Sequence, residues 1–469
     1  MTTKLWRTLL LIVVLIPYLF GSPNQAAAAA DIVNPNQTYT YELMTDNIRQ
    51  LAQAYPELIE YKSIGTTLYG RDIWAVRLGT GDANVLINAS HHAREWLTTS
   101  LVMNMIDDYA QLYANDDSLN GRNLQTLLKN SSIWFVPMVN PDGVTLQQKG
   151  ASAFPAEVRS SLIAMNGKST DFSRWKANAQ GIDLNRQYPA EWDSILYNSG
   201  YPGYKNYKGT EPLQTNETKA LVKFTEEIDP EIGIAYHSSG RILYWHFHTL
   251  EENLERDRSI MSQIENLTGY TPVKPTANPS GGGYTDWFIQ ALGRPGLTPE
   301  IGRYGGENSL PLSEFPSIWK ENRAVGIVAA EKGFELWQKR VPVETKNTDL
   351  ILMAPVAVYT KPDSRYPLNA SLTAQPLKSD ARIGNWFRVE TWVGKSWVHV
   401  KHPITGKIEE KETKLTLTGK TAMHREPREG SAIVAELSPQ SVTAFEQLGN
   451  WYHIHTWLGD VWIQIQQPK

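Results

Sequence analysis

His91-His92-Ala93-Arg94-Glu95-Trp96 sets an imidazole and a carboxylate three residues apart at the end of an apolar run. Residues 84–89 before it read as a short buried strand, and Leu101, Met105, Ile106 and Tyr109 after it recur with a helical period. The pair therefore belongs on a strand-to-helix turn. There His92 and Glu95 share one side and can reach one cation, and imidazole nitrogen with carboxylate oxygen suits zinc. Taken alone, the tetrapeptide equally fits an exposed histidine ahead of a helix-start glutamate favoured by the dipole. Four further stretches carry reactive groups. His237 follows an apolar strand and is a candidate third ligand. Asn140-Pro141-Asp142-Gly143 follows another strand, Asp183, Asn185 and Arg186 cluster in a loop, and Glu300 ends a strand between apolar neighbours.

The elements that must position these groups alternate along the chain. Strand patterns occupy residues 61–67, 72–78, 85–89, 133–139, 232–236 and 297–301, and helical patterns 38–55, 97–113, 216–228, 250–267 and 317–338. Such interleaving predicts an α/β fold with a mixed or mainly parallel sheet covered by helices on both faces. Sites in such folds collect at the carboxyl ends of strands. Residues 141–207, rich in Gly, Asn, Ser, Trp and Tyr, read as a long functional loop.

Composition narrows the function classes. The 469 residues suffice for one large domain and one or two small ones. A formal net charge of −4 without a basic block excludes nucleic acid and an anionic membrane surface as expected partners. Cysteine is absent, so disulfides, thiolate metal sites and cysteine nucleophiles are excluded, and any metal must be held by nitrogen and oxygen. In residues 1–30, Lys4 and Arg7 precede an apolar run over 9–20 and small residues ending at Ala30, the pattern of a secretory signal. The run is short for a membrane span, so the expectation is no stable span after signal removal, with an uncleaved anchor as the alternative. Export of a cysteine-free chain fits a bacterial exoprotein.

Beyond Val341-Pro342-Val343 the helical patterns stop and a repeat begins. Gly384-Asn385-Trp386 and Gly449-Asn450-Trp451, Thr391-Trp392-Val393-Gly394 and Thr456-Trp457-Leu458-Gly459, and Trp397-Val398 and Trp462-Ile463 all match at an offset of 65. The expected organisation is a signal over 1–30, a main domain over 31–340, and small all-β units over 345–405 and 412–469. The repeats resemble the SH3-like modules of bacterial wall-associated enzymes.

From about Tyr39 to Gln338 the five motifs, in order, resemble the zinc carboxypeptidase family. The resemblance implies that family's fold, an eight-stranded mixed sheet between helices, and one zinc per chain held by His92, Glu95 and His237. It implies Glu300 as general base and acid, Asn185 and Arg186 as the clamp for a substrate carboxylate, Arg94 as an auxiliary contact and Asp183 as the partner orienting a ligand histidine, foremost His92. Two positions depart from the family. Lys176 stands where an arginine usually polarises the scissile carbonyl, which keeps a cation and loses the bidentate fork. Asn278 stands where a tyrosine usually caps the substrate, and Tyr284 is the candidate substitute.

Trp-Lys-Ala-Asn at 175–178, residues 183–190 and His237 to Arg241 are closer to the bacterial γ-D-glutamyl-meso-diaminopimelate peptidases of the same family. The implied activity is a secreted, wall-associated zinc metallopeptidase acting on peptidoglycan stem peptides, with Arg241 near enough to His237 to pair with the D-glutamyl α-carboxylate. The competing readings are a general zinc carboxypeptidase and a non-catalytic wall-binding protein. Other prominent residues have plainer expectations. His91 packs or bonds to backbone, His246 and His248 lie outside the chemistry, His453 and His455 share an exposed strand face, and the repeat tryptophans are core and turn residues. Gly281-Gly282-Gly283 reads as a mobile loop at the site rim.

Overall fold

Apolar strands of β-branched residues alternate with amphipathic helices through the first two thirds of the chain, and they assemble as one mixed sheet between helices. The computed structural model describes residues 31–465. The expected signal segment lies outside the described residues. Among the described residues no helix is long and apolar enough to cross a membrane.

The strands are β1 (Ile59–Thr66), β2 (Asp72–Gly79), β3 (Ala83–Ala89), a small hairpin of β4 (Ser118–Leu119) and β5 (Arg122–Asn123), β6 (Ser131–Val136), β7 (Ile232–Ser238), β8 (Ile242–Tyr244), β9 (Thr271–Pro272) and β10 (Gly296–Ile301). Eight of them form a sheet in the order β1-β2-β6-β3-β7-β10-β8-β9. The four central strands β6, β3, β7 and β10 run parallel. Their carboxyl ends therefore open on one edge, where the chain turns at Ser90, Pro137, Ser239 and Gly302. The helices are α1 (Tyr41–Ala54), α2 (Leu97–Ala114), α3 (Leu124–Asn130), α4 (Pro141–Lys149), α5 (Ala156–Met165), α6 (Asn216–Ile228), α7 (Glu251–Thr268), α8 (Tyr284–Leu292), α9 (Phe315–Asn322) and α10 (Val325–Arg340). One sheet face buries the apolar sides of α1, α2, α7, α9 and α10, and the other buries α6 and α8.

The sequence expectation omitted the short helices α3 and α8 and the short strands β4, β5, β8 and β9, and two further features depart from it. The stretch read as one long loop contains α4 and α5. The start of α4 is capped by Asn140, whose Oδ1 accepts the Gly143 amide at 2.9 Å, with Pro141 at the first helical position. That signal was present, but the helix is short and holds a glycine. The helix expected over 317–338 is two, because the Tyr109 hydroxyl takes the Arg323 carbonyl at 2.5 Å and Asp108 pairs with the Arg323 guanidinium. Both partners come from α2, out of reach of a local pattern.

From Glu344 onward the described chain is all β. Strands from Glu344–Leu352 to Ile404–Thr405 form a seven-stranded sheet, and strands from Glu409–Leu417 to Gly459–Gln464 form a six-stranded one. The first packs Trp386, Tyr359, Ile383 and Trp397 against Phe334 and Trp337 of α10. Polar contacts frame the seam: Asn385 N donates to Asp82 Oδ2 at 2.7 Å, and Asn130 Nδ2 donates to Asp363 Oδ1 at 2.9 Å. Asp82 and Asn130 lie at the amino ends of β3 and β6, so this seam is at the edge of the sheet away from the His92 turn. The second unit packs Leu448, Trp451 and Trp462 on Ile351 and Ile404 of the first. Each Gly-Asn-Trp turn thus supplies its tryptophan to the seam with the unit before it. Trp392 and Trp457, the Thr-Trp-x-Gly tryptophans, are 67% and 69% exposed.

Truncation after residue 340 uncovers Phe334 and Trp337, and burial of side chains of that size contributes about 1.5–3 kcal/mol each. The expected outcome is a lower urea midpoint for the α/β unit. An unchanged midpoint would mean that the seam adds no stability.

Candidate metal centre and active site

β3 ends at Ala89, and Ser90 adopts φ 51° while its amide donates to Thr98 Oγ1 at 2.9 Å. The turn carries His92 in extended backbone into a short 3-10 turn, Ala93–Glu95, before α2 begins. His237 is the penultimate residue of β7, and the parallel register places it beside Glu300 of β10. Strand register thus sets two of the site's groups, and a turn sets the other two.

The His92 Nδ1 atom lies 2.8 Å from Glu95 Oε1 and 3.0 Å from His237 Nδ1, and His237 Nδ1 lies 2.9 Å from Glu95 Oε2. All three side chains are buried. The far side of the His92 ring, Nε2, is 3.1 Å from Asp183 Oδ1. With that nitrogen donating to the carboxylate, Nδ1 presents a lone pair to a carboxylate oxygen and a second imidazole. Two imidazole nitrogens and a carboxylate oxygen converging on one point can hold a cation. The His237 Nε2 atom is buried with no protein partner among the described residues, so its ring is held from the Nδ1 side. His92, Glu95 and His237 form the one group of metal-capable side chains found among the described residues. Two imidazoles and a carboxylate suit an open zinc site.

Asp183 has no exposed surface. Its Oδ2 accepts Lys176 Nζ at 2.8 Å and the Asn206 amide at 3.2 Å, and its Oδ1 accepts the Asn185 amide at 3.1 Å. Burial would raise its carboxyl, yet Lys176 and then His92 hold it well below the usual carboxylate range. Burial likewise pushes the Glu300 carboxyl up, to about 7, against the pull of His237. A carboxylate near neutrality can take a proton and return it.

The other residues singled out from sequence divide. Arg186 is half-buried, donates Nη1 to Asn185 O at 2.8 Å and has no carboxylate partner among the described residues. Asn185 Oδ1 accepts the Tyr284 amide at 3.1 Å. Arg94 donates to the Glu307 carbonyl at 3.0 Å at the rim. Lys176 uses its ammonium on Asp183 and, at 3.4 Å, on Asn206 Oδ1. Asn278 lies exposed on the loop before α8.

Three expectations are corrected. Tyr284 is fully buried with its hydroxyl 3.1 Å from Thr225 Oγ1, so α8 turns it into the core and away from substrate. Arg241, at φ 54°, pairs with Glu321 of α9 at 2.9 Å and not with a group at the centre. The Gly281–Gly283 turn is stitched to its neighbour: Gly282 donates to Ala190 O at 2.8 Å and accepts from the Tyr188 amide at 3.1 Å. His91 is buried, with Nε2 2.8 Å from the Tyr188 hydroxyl.

Sequence reasoning missed Tyr244 and Glu217. Tyr244 pairs in register with Thr298, two residues before Glu300, and is 45% exposed on that face. Its alternation with buried Leu243 was the available signal. Glu217 is buried on α6 against Asn178, at 3.4 Å. No pattern marks it, since the loop that covers it is far away in sequence.

Residues 44–325 match the zinc carboxypeptidase family. The chain belongs to that family. It is 38% identical over 300 residues to gamma-D-glutamyl-L-diamino acid endopeptidase 1 of Lysinibacillus sphaericus, covering 64% of this chain and 73% of that protein. It is 30% identical over 311 residues to the uncharacterised protein YqgT of Bacillus subtilis, covering 65% and 81%. The solved structure of thrombin-activatable fibrinolysis inhibitor shares its fold at a TM-score of 0.53 and 19% identity, covering 66% of this chain and 79% of that one. The chain is therefore of the zinc metallopeptidase type, and zinc is the metal its His-Glu-His group suits.

Glu217 yields a pH prediction. Burial raises its carboxyl to about 7 from 4.5. The unfolded chain ionises first, so stability falls as pH rises from 4.5 toward 7. Glu217→Gln should raise the melting temperature at pH 8 relative to wild type and leave it level at pH 4. Equal effects at both pH values would remove the charge argument.

Proposed function

We propose that the protein is a secreted, cell-wall-associated peptidase that hydrolyses the γ-D-glutamyl–meso-diaminopimelate bond of peptidoglycan stem peptides. The observation that carries this reading is the 38% identity to a γ-D-glutamyl-L-diamino acid endopeptidase across a segment of 300 residues. Secretion is supported by the charged, apolar and small-residue pattern of residues 1–30. Wall retention is supported by the two repeats, which resemble SH3-like modules and would raise local substrate concentration by tethering.

Zinc, when held by His92, Glu95 and His237, supplies a Lewis acid that acidifies water and polarises a carbonyl. Glu300 accepts the proton of the attacking water and delivers it to the leaving amine nitrogen. Lys176, with two of its three N–H groups on Asp183 and Asn206, keeps one for the scissile carbonyl oxygen. Asp183 positions His92 and Lys176 together. Arg186, without an acidic partner among the described residues, receives the carboxylate on the side-chain carbon of diaminopimelate. Because that group lies off the main peptide, the chain can continue past the cut.

Glu300→Gln should retain one zinc per chain by metal analysis and lose turnover. Retained hydrolysis would mean that another base acts. Replacing diaminopimelate by L-lysine removes the carboxylate that Arg186 would hold and should lower kcat/KM by about tenfold or more, since a charge-assisted bidentate pair is lost. Equal rates on the two peptides would remove the clamp. Faster release of C-terminal residues from ordinary L-peptides would return the protein to a general carboxypeptidase.

A further inference from the structure

A residue joined through its γ-carbonyl leaves its α-carboxylate free, so a γ-D-glutamyl–diaminopimelate substrate brings an anion on each side of the cut. Arg186 accounts for one of them. Arg241 pairs with Glu321, whose side chain is only 16% exposed against 32% for Glu307, so that its partner is the less readily displaced. The rim of the cleft offers another cationic group.

Arg174 and Lys205 both pair with the carboxylate of Glu307. Arg174 Nη2 also donates to the Tyr204 hydroxyl at 3.0 Å, and both cations lie over the Tyr204 ring, at 5.1 and 5.3 Å. Arg94 joins them through the Glu307 carbonyl and has no carboxylate partner of its own among the described residues. Two cations thus share one carboxylate, with a third on the backbone carbonyl of the same residue, and the cluster holds an excess of positive charge.

The cluster is built from the segments that carry the centre. Arg174 lies two residues before Lys176, and the Tyr204 carbonyl accepts the Lys176 amide at 2.8 Å. Lys205 precedes Asn206, whose amide is on Asp183. Arg94 follows His92 by two residues. The Glu307 segment is anchored by Gly305 N on Ser239 Oγ at 2.8 Å, two residues beyond His237. Asp183 therefore stands between two cationic positions: Oδ1 holds the Asn185 amide beside Arg186, and Oδ2 holds the Asn206 amide beside Lys205. One buried carboxylate thus ties together the two segments that carry these cations, and a substrate with a carboxylate on each side of the scissile bond has a cationic partner on each segment.

Glu307 is the chain's own carboxylate in this position. It follows Gly306 at φ +66°, and the Arg174 side chain is 54% exposed. Exposed ion pairs are weak, so a substrate carboxylate can exchange with Glu307. Resting on the bond assignment above, we propose that Arg174 and Lys205 bind the free α-carboxylate of the D-glutamyl residue, and that Glu307 occupies this subsite until substrate displaces it.

The test compares L-alanyl-γ-D-glutamyl-meso-diaminopimelate with the same peptide bearing an α-carboxamide on its D-glutamyl residue. The wild type should prefer the carboxylate by about tenfold in kcat/KM, mainly through KM, because a charged acceptor is lost in the amide. The preference should fall toward one in the Arg174→Ala, Lys205→Ala double variant and in each single variant by part of that. Glu307→Ala should lower KM for the carboxylate peptide alone. A preference that persists in the double variant overturns the subsite, as does a Glu307→Ala effect equal on both peptides, the signature of a loop staple. Cleavage of both peptides by the wild type without preference also overturns the subsite and leaves the bond assignment standing. Cleavage of neither overturns the bond assignment, and the subsite with it.

Discussion

The carboxylate of Asp183 has no contact with solvent and is held by His92, Lys176 and the amides of Asn185 and Asn206. A buried charge is tolerable only when paired and hydrogen-bonded on every side. That requirement ties the site together. Moving Asp183 would release the tautomer of His92, the ammonium of Lys176 and the backbone of both segments that frame the cleft. The position of Asp183 depends in turn on the loop around it, in which Asn178 Oδ1 accepts the amides of Gln180 and Ile182.

The sheet contributes a second constraint, parallel register. His237 and Glu300 are neighbours because β7 and β10 pair there, and His92 joins them because β3 pairs with β7 and ends at the same edge. Slipping either pairing by one residue would turn a site residue to the opposite face. The long apolar strands make such slips expensive, since every inward side chain would move with them. Side chains from distant segments thus meet on adjacent parallel strands.

The β units follow a different logic. Trp386 and Trp451 occupy the same place in their repeats, and each is buried in the seam with the preceding unit. The repeats stack head to tail on the edge of the sheet away from the site. Their hairpin tryptophans stay exposed. Any tether made this way holds the α/β unit through packed aromatic surface as well as through the chain.

The sequence by itself determined which chemistry was available. His92 and Glu95 at helix-start spacing, histidine and glutamate at the ends of apolar strands, and the absence of cysteine specify an oxygen- and nitrogen-held metal. Period and turn residues located the central strands and most of the large helices, because burial of one face is a local pattern. The 65-residue repeat was legible for the same reason. Tertiary structure decided what depends on partners far apart in the chain. It broke α9 from α10 through Tyr109 and Asp108, buried Tyr284 against Thr225, and committed Arg241 to Glu321. It also gathered Arg94, Arg174, Lys205 and Glu307 at one rim. A residue's type sets what it can bond, whereas the bond it makes is set by which other segment the packed core brings within about 3 Å.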